Sequence, residues 1–367
     1  MIRVLNMINL DCGGAETTVM NFYRNIDRSR VQFDFLVTDD GREHYYEAEA
    51  ISLGARVFPR PMRTRHPIRN TLVLYKILKE NPDIRIIHIH NYLSFVAVDT
   101  LLTMFLGVPV RIAHSRSAIP RASVIHRFFQ PLLRATATHW FACSTEAGIS
   151  LFGKDAPNHR KFVFYPNARD IEQLRLNTKN RNNVRQALKL GSKAVLLHIG
   201  RLNVAKNQFF LLEACSAAIR INPDLVLLIA GDGELREELE NAAAKLGLGS
   251  TVRFLGFRDD IPDLLHAADM FVLPSLFEGL PGGAIEAQAA GLPCLLSNTI
   301  TRETKVTNNV EFLPIDKGTS VWAERMANCH TYSRNDAIDD VRRAGYDIVD
   351  AAKRLTEFYI KLATKKV

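Results

Sequence analysis

The sequence predicts an α/β protein built from two doubly wound parallel sheets, one following the other along the chain. Three observations predict it. The 367 residues are long for one hydrophobic core and suit two domains. Short apolar runs alternate with helix-like segments, the pattern of parallel strands joined by crossover helices. The pattern also restarts, because a strand leading to glycine and then to a helix occurs at residues 2–25 and again at residues 194–221. Hydrophobic residues make up 47% and charged residues 23%, as in an ordinary globular protein, with no repeat or low-complexity tract.

In the first half, Ile2 to Leu10 reads as a buried strand, broken by Asp11-Cys-Gly-Gly14 and followed by helical composition from Ala15 to Asn25. Further apolar runs lie at Phe33–Thr38, Ala55–Phe58, Ile84–Ile89 and Pro109–Ala113, with helix-like segments at Tyr45–Leu53, Pro67–Asn81 and Ser94–Leu106. In such sheets ligands bind beyond the carboxyl ends of the strands. That singles out Gly13-Gly14, His90-Asn91, His114-Ser115-Arg116 and Ser144. Gly13-Gly14 reads as a plain tight turn or as a loop meeting a ligand. His114 reads as a structural hydrogen bonder or as a group facing a ligand.

The second half restarts at the strand Ala194–Gly200, followed by Arg201, Lys206 and a helix over Gln208–Ile221. Two cations just past a strand end suit a diphosphate. Leu225–Ala230 is the next strand, and Gly231-Asp-Gly-Glu234 opens a helix as a phosphate loop, an N-cap or a structural turn. Val252–Gly256 is another strand, with Phe257 and Arg258 after it. Met270–Pro274 precedes Ser-Leu-Phe-Glu278-Gly279-Leu280-Pro281-Gly282-Gly283, then a short helix that Gly291 and Pro293 stop before the strand at Cys294–Leu296. Pro281 suits the first helical turn, where its missing N–H has no partner. Free N–H groups and a positive helix end around Gly282 to Ala284 suit a phosphate, which two glycines let approach closely. Glu278 and Glu286 read either as solvated glutamates or as acceptors of vicinal hydroxyls from a sugar and a ribose. Asn177 to Asn183 reads as a polar linker. The stretch Asp347–Lys361 reads as an amphipathic helix.

Charge is uneven. Residues 1–170 hold 22 basic and 15 acidic side chains, +7 of the net +8. The segments Arg60–Arg69 and Arg121–Trp140 mix arginines with apolar or aromatic residues. They suit an anionic membrane surface, or a buried helix with snorkelling arginines. No recognition motif points to nucleic acid. Five scattered cysteines without C-x-x-C spacing indicate a reducing compartment rather than a disulfide frame or structural zinc. No signal peptide or spanning segment is read, so the expected place is the cytoplasm, peripherally at the inner face of the plasma membrane.

Glu278-x7-Glu286 with Gly279, Pro281 and Ala-Gly-Leu-Pro293 resembles the nucleotide-sugar motif of the retaining glycosyltransferases of family 4. Gly200-Arg201-x-x-x-x-Lys206-Asn207 is a second match, and Gly13-Gly14-Ala15-Glu16 a looser one. Pro166-Asn167-Ala168-Arg169-Asp170 resembles the family's Pro-Asn-Gly-x-Asp closure, with Ala168 in place of the usual glycine. The stretch Ser297–Val306 resembles the branch serving capsule and exopolysaccharide assembly. The resemblance covers the whole chain and implies the GT-B fold, two Rossmann-like domains facing each other across a cleft. The domains are placed at residues 1–172 and 185–345, with a last helix at 346–367 returning to the first.

The implied reaction moves a sugar from a nucleotide-diphosphate sugar to a hydroxyl, with retention of anomeric configuration. Arg201 and Lys206 would hold the diphosphate, Glu286 the ribose, Glu278 the sugar hydroxyls, and His114 the donor sugar. Gly13, Gly14, Gly200, Gly231, Phe257, Leu280, Pro281, Gly282 and Gly283 would shape the nucleotide-sugar site. No Asp-x-Asp occurs, so metal-independent turnover without a cofactor is expected. The expected acceptor is polyprenyl-diphosphate-linked. The alternatives are an inactive membrane scaffold for a partner transferase and an epimerase on the same fold.

Overall fold

The structure is a computed structural model describing residues 1–90, 94–116 and 124–364. Asn91 and Arg121 lie outside the described residues. The chain divides into two compact units, residues 1–169 with 347–367, and residues 170–346.

The first unit carries β1 (Ile2–Met7), α1 (Gly14–Asn25), β2 (Val31–Asp39), α2 (Glu47–Ser52), β3 (Val57–Pro61) and α3 (Pro67–Glu80). It continues with β4 (Ile84–His90), α4 (Ala97–Phe105), β5 (Val110–Ser115), α5 (Val124–Thr136), β6 (His139–Ala142), α6 (Thr145–Phe152) and β7 (Phe162–Phe164). The seven strands are all parallel, in the order β3-β2-β1-β4-β5-β6-β7. Chain order therefore reverses between β1 and β4. Val4, Phe33 and Phe35 fill one face of this sheet, and Leu5, Ile87 and Trp140 the other. Such runs, apolar on both faces, are what a sheet covered twice requires.

The second unit holds α7 (Thr178–Ala187), β8 (Ala194–Ile199), α8 (Gln208–Ala218), β9 (Leu225–Ala230), α9 (Arg236–Lys245), β10 (Val252–Gly256) and α10 (Ile261–Ala267). Then come β11 (Met270–Leu273), α11 (Gly282–Ala289), β12 (Cys294–Ser297), β13 (Val310–Leu313), α12 (Ser320–Ala327) and α13 (Ile338–Arg343). Its six parallel strands run β10-β9-β8-β11-β12-β13, so order reverses between β8 and β11.

The last helix, α14 (Ile348–Thr364), belongs to the first unit. Ile348, Ala351, Ala352, Leu355 and Tyr359 line its apolar face and join the core of β1, β2 and α1. Tyr165 donates its hydroxyl to the Ala351 carbonyl at 2.5 Å.

Two readings need correction. The polar stretch at residues 177–183 is not a linker but the start of α7. Asn177 caps it by accepting from Asn180 N, Asn180 reaches Asp263 at 2.6 Å, and Arg181 donates to the carbonyls closing α10. Polar composition here reflects side chains spent on capping a neighbour. Pro281 is the N-cap of α11 rather than its first helical residue, with ψ 112°. At Ala168 no left-handed turn forms; the residue is fully buried, its N–H donating to the Pro166 carbonyl at 3.0 Å.

Candidate functional site

The second unit gathers its predicted residues at the switch between β8 and β11, where an open parallel sheet leaves a crevice beyond its strand ends. β8 delivers Gly200 and Arg201. A single 3-10 turn then presents Lys206, started by Asn203, whose side chain accepts from Lys206 N at 3.2 Å. Asn207 ends the turn in the left-handed region, φ 56°, and opens α8. β11 delivers the loop with Ser275 and Glu278, and then α11. The two loops are tied together: Leu276 N donates to the Ala205 carbonyl at 2.8 Å, and Asn207 Nδ2 to the Pro274 carbonyl at 3.1 Å.

Within this frame Lys206 Nζ donates to Glu278 Oε1, which also accepts from Ser275 Oγ at 2.9 Å. Ser275 is itself fixed, since Ser297 and Thr299 both donate to its carbonyl, at 2.5 and 2.7 Å. Both members of the Lys206–Glu278 pair are mostly buried, whereas the Arg201 side chain is 70% exposed and donates to Glu234 at 3.1 Å. Each cation therefore rests on its own carboxylate. Glu234, which the sequence reading treated only as the end of a turn, is held charged by its own backbone N–H and by Arg201.

Glycines set the closeness of these parts. A Cβ on Gly200 would lie 2.8 Å from Lys206 Cε, so the lysine stem packs over bare backbone. Gly231 has φ 138°, and a Cβ there would lie 2.0 Å from the Gly200 carbonyl oxygen. Gly283 differs, because its Cβ would meet Ile199 and Phe271 at an ordinary 3.6 Å. Packing therefore does not require glycine at 283. Gly283→Ala is expected to keep the unfolding midpoint and to weaken nucleoside-diphosphate binding about 10-fold, roughly 1.4 kcal/mol. Calorimetric titration with a panel of nucleoside diphosphates beside a thermal melt measures both, and unchanged affinity would remove the glycine from the site.

Gly279 and Glu286 are partly buried on the loop and on α11, and Leu280 and Pro281 are buried beneath them. Gly282 begins α11, where Ala284 and Ile285 N–H both turn back to the Pro281 carbonyl. Phe257, 60% exposed, follows the β10 end, which is joined to the loop after β9 by Gly231 N donating to the Gly256 carbonyl at 2.8 Å.

Sequence reasoning missed the support beneath. Fully buried His198 bonds the Val272 carbonyl through Nδ1 at 3.0 Å, and its Nε2 meets Gln208 Nε2 at 3.2 Å. Gln208 also donates to the Arg201 carbonyl at 2.9 Å. Burial pulls His198 down to about 4, so it is neutral and serves as a strut between β8 and β11. Polar residues inside otherwise apolar segments were the available signal.

The first unit places Gly13 as the N-cap of α1 and Gly14 as its first residue, both exposed. His114, the expected donor-sugar contact, lies near the end of β5 on a buried face of the sheet. It is 0% exposed, because on β5 it shares the face of Ile112, which α1 and α14 cover. His114 Nδ1 meets His88 Nε2 at 3.0 Å, and His88 Nδ1 meets the Tyr359 hydroxyl at 2.6 Å. His88, His90 and His114 each bring a ring nitrogen within 4.8 Å of the others, a metal-ligand spacing. All of their ring nitrogens except His114 Nε2 already have a hydrogen-bond partner, among them His90 Nδ1, which accepts from the Arg116 guanidinium at 3.2 Å. Burial holds all three rings well below the usual histidine range. The donor set fits a neutral hydrogen-bonded network packed under α14 rather than a cation.

Comparison with known proteins decides the family. The description "Glycosyltransferase Family 4" matches residues 12–173 and "Glycosyl transferases group 1" matches residues 180–323. Over 99% of its length the chain is 33% identical to the putative glycosyltransferase EpsF of Bacillus subtilis (strain 168), covering 97% of that protein. The chain belongs to the family 4 glycosyltransferases. This glycosyltransferase is also 28% identical, over 82% of its length and 81% of the relative's, to the Escherichia coli UDP-Gal:alpha-D-GlcNAc-diphosphoundecaprenol alpha-1,3-galactosyltransferase. Its fold is GT-B, matching Anabaena Alr3699/HepE in complex with UDP at a TM-score of 0.80, 18% identity, and coverage of 98% of this chain and 100% of that one. As an enzyme it falls among the glycosyl-transferring transferases, EC class 2.4.

Proposed function

We propose that the protein transfers a sugar, with retention, from a nucleotide-diphosphate sugar to a hydroxyl of a polyprenyl-diphosphate-linked saccharide in bacterial surface polysaccharide synthesis. The observation that carries this reading is the fixed Lys206–Glu278–Ser275 group beside Arg201 and the Gly282–Gly283 helix start, at the β8/β11 switch. Arg201 and Lys206 take the diphosphate and neutralise charge growing on it as the sugar departs. Glu278 then accepts from sugar hydroxyls and Glu286 from the ribose. The likeness to a galactosyltransferase named for a diphosphoundecaprenol substrate supports the acceptor class, and the HepE complex with UDP supports the donor class.

The test incubates purified protein with a panel of nucleotide sugars and a short-chain prenyl-diphosphate-linked N-acetylglucosamine, and reads the new anomeric linkage by NMR. An α-linked product from an α-linked donor, formed at the same rate with excess chelator, is expected. Inversion, loss of turnover with chelator, or donor consumption that needs no acceptor would each overturn the corresponding part.

Peripheral attachment to an anionic membrane, at the cytoplasmic face, completes the reading. On α3, Ile68, Leu72 and Tyr75 are exposed at helical spacing, and on α5 Val124, Ile125 and Phe128 are exposed, beside Arg69 and Arg127. Exposed apolar side chains with basic neighbours suit a lipid interface. Not every arginine of the basic segment serves it, since Arg60 and Arg63 turn inward onto buried Asp99. No described helix is long and apolar enough to cross a membrane. Sedimentation with vesicles containing about 30% phosphatidylglycerol is expected to retain the protein at low salt and to lose it in Ile68→Glu/Phe128→Glu. Equal retention of that variant would reject this face.

A further inference from the structure

The first unit has its own switch point, between β1 and β4, and a guanidinium without a counter-charge stands beside it. Arg116 ends β5. Its Nε and Nη2 point at His90 Nδ1, both at 3.2 Å, and its Nη1 donates to Asn167 Oδ1 at 2.7 Å. His90 in turn reaches Asn6 of β1 through Nε2 at 3.0 Å. All these acceptors are neutral. Among the described residues no carboxylate forms an ion pair with Arg116, and residues 91–93, 117–123 and 365–367 contain no Asp or Glu.

The contrast lies within the same unit. Arg3 and Arg56 share Asp34 and Asp83, and Arg60 and Arg63 share Asp99, so each of these cations has a carboxylate partner. Arg116 is instead surrounded by groups that withhold charge, with neutral histidines on one side and Tyr165 and Tyr359 nearby. Desolvation draws its guanidinium down to about 10. Glu16 is close enough to feel the guanidinium without bonding to it, and its carboxylate folds back over Gly13 at the start of α1. Arg169 adds a second positive charge to the surroundings. A desolvated cation lacking a partner is costly, and fixing it on two neutral acceptors aims its fork rather than discharging it. Such a fork matches phosphoryl oxygens.

We propose that Arg116, aimed by His90 and Asn167, is the receptor for the phosphoryl group of the acceptor, at the β1/β4 switch of the first unit. The proposal rests on the reading of the acceptor as diphosphate-linked and adds the residue that selects it. Arg116 is thereby a specificity residue for the anionic carrier, separate from the donor residues of the second unit.

The test titrates the full chain, saturated with UDP to fill the nucleotide site, with geranyl diphosphate, inorganic pyrophosphate and geraniol by calorimetry. Wild type is expected to bind geranyl diphosphate, and Arg116→Gln to bind it about 20-fold or more weakly, the scale of a lost charged hydrogen bond. Arg116→Lys should fall between, geraniol binding should not change, and UDP affinity should stay within about twofold. Pyrophosphate binding as tight as geranyl diphosphate in wild type would mark a free-anion site and overturn the carrier assignment. Unchanged geranyl diphosphate affinity in Arg116→Gln, or a matching loss of UDP affinity, would overturn the proposal outright. A thermal melt of both variants identifies misfolding, and Arg116→Lys decides the matter if Arg116→Gln misfolds. The binding readout needs no turnover, so it stands even if the transfer reaction is not found. Where transfer is found, KM for the diphosphate-linked acceptor should rise with kcat little changed.

Discussion

Lys206→Ala is expected to lower kcat/KM for sugar transfer by about 10³, the scale of removing one preorganised charged donor from a developing oxyanion. The side chain is pre-set for such a task. Its stem lies over Gly200, its backbone N–H is fixed by Asn203, and its ammonium is held by Glu278. The carboxylate that the substitution leaves keeps its bond from Ser275 but loses its counter-charge, so some loss of stability is expected and a thermal melt separates it from the kinetic loss. Steady-state kinetics with a separate UDP titration distinguishes two kinds of loss. A fall in kcat means the charge acts mainly as the leaving group departs, whereas a rise in KM alone means it only holds the donor. Lys206→Arg should not restore the rate, because a planar fork does not fit where a narrow stem passes over glycine. A Lys206→Ala enzyme with more than about a third of wild-type activity would remove Lys206 from the chemistry.

Gly231→Ala should damage the second unit more than any other single methyl addition proposed here. Any Cβ at that position would sit 2.0 Å from the Gly200 carbonyl oxygen, and the backbone has φ 138°. The atom in the way is backbone, so relief requires the ends of β8 and β9 to separate, carrying Arg201 with them. A destabilisation of about 3 kcal/mol or more is expected, combining an unfavourable backbone conformation with overpacking. The chain offers a clean reporter, since of its two tryptophans Trp140 lies in the first unit and Trp322 in the second. In a Trp140→Phe background, the denaturant midpoint followed by Trp322 should drop. In a Trp322→Phe background, the Trp140 transition should stay where it is. Two units need not unfold together, so the two probes are read separately. An unmoved Trp322 midpoint would contradict the Gly200–Gly231 contact.

The class of fold was legible in the residues alone. Apolar runs of strand length, spaced by helical segments, admit little besides covered parallel sheets. Gly200-Arg201 with Lys206, and Glu278 with Glu286 around Gly282-Gly283, are short motifs local in the chain, so their resemblance to the family motifs could be read without the structure. What crosses from one element to another was decided by tertiary structure. The sequence read two cations as one grip, yet packing seats Arg201 on Glu234 and Lys206 on Glu278. It placed His114 at a strand end, but which face of β5 it occupies depends on the covering helices, and α14, which covers it, is more than 200 residues away along the chain. The polar run at 177–183 became a helix because its side chains found carbonyls on α10. Arg116 was legible as a cation beyond a strand; that it lacks a counter-ion is a property of everything folded around it. Local patterns record what the backbone will do, whereas burial and charge pairing are set by partners distant in sequence, which spacing does not encode.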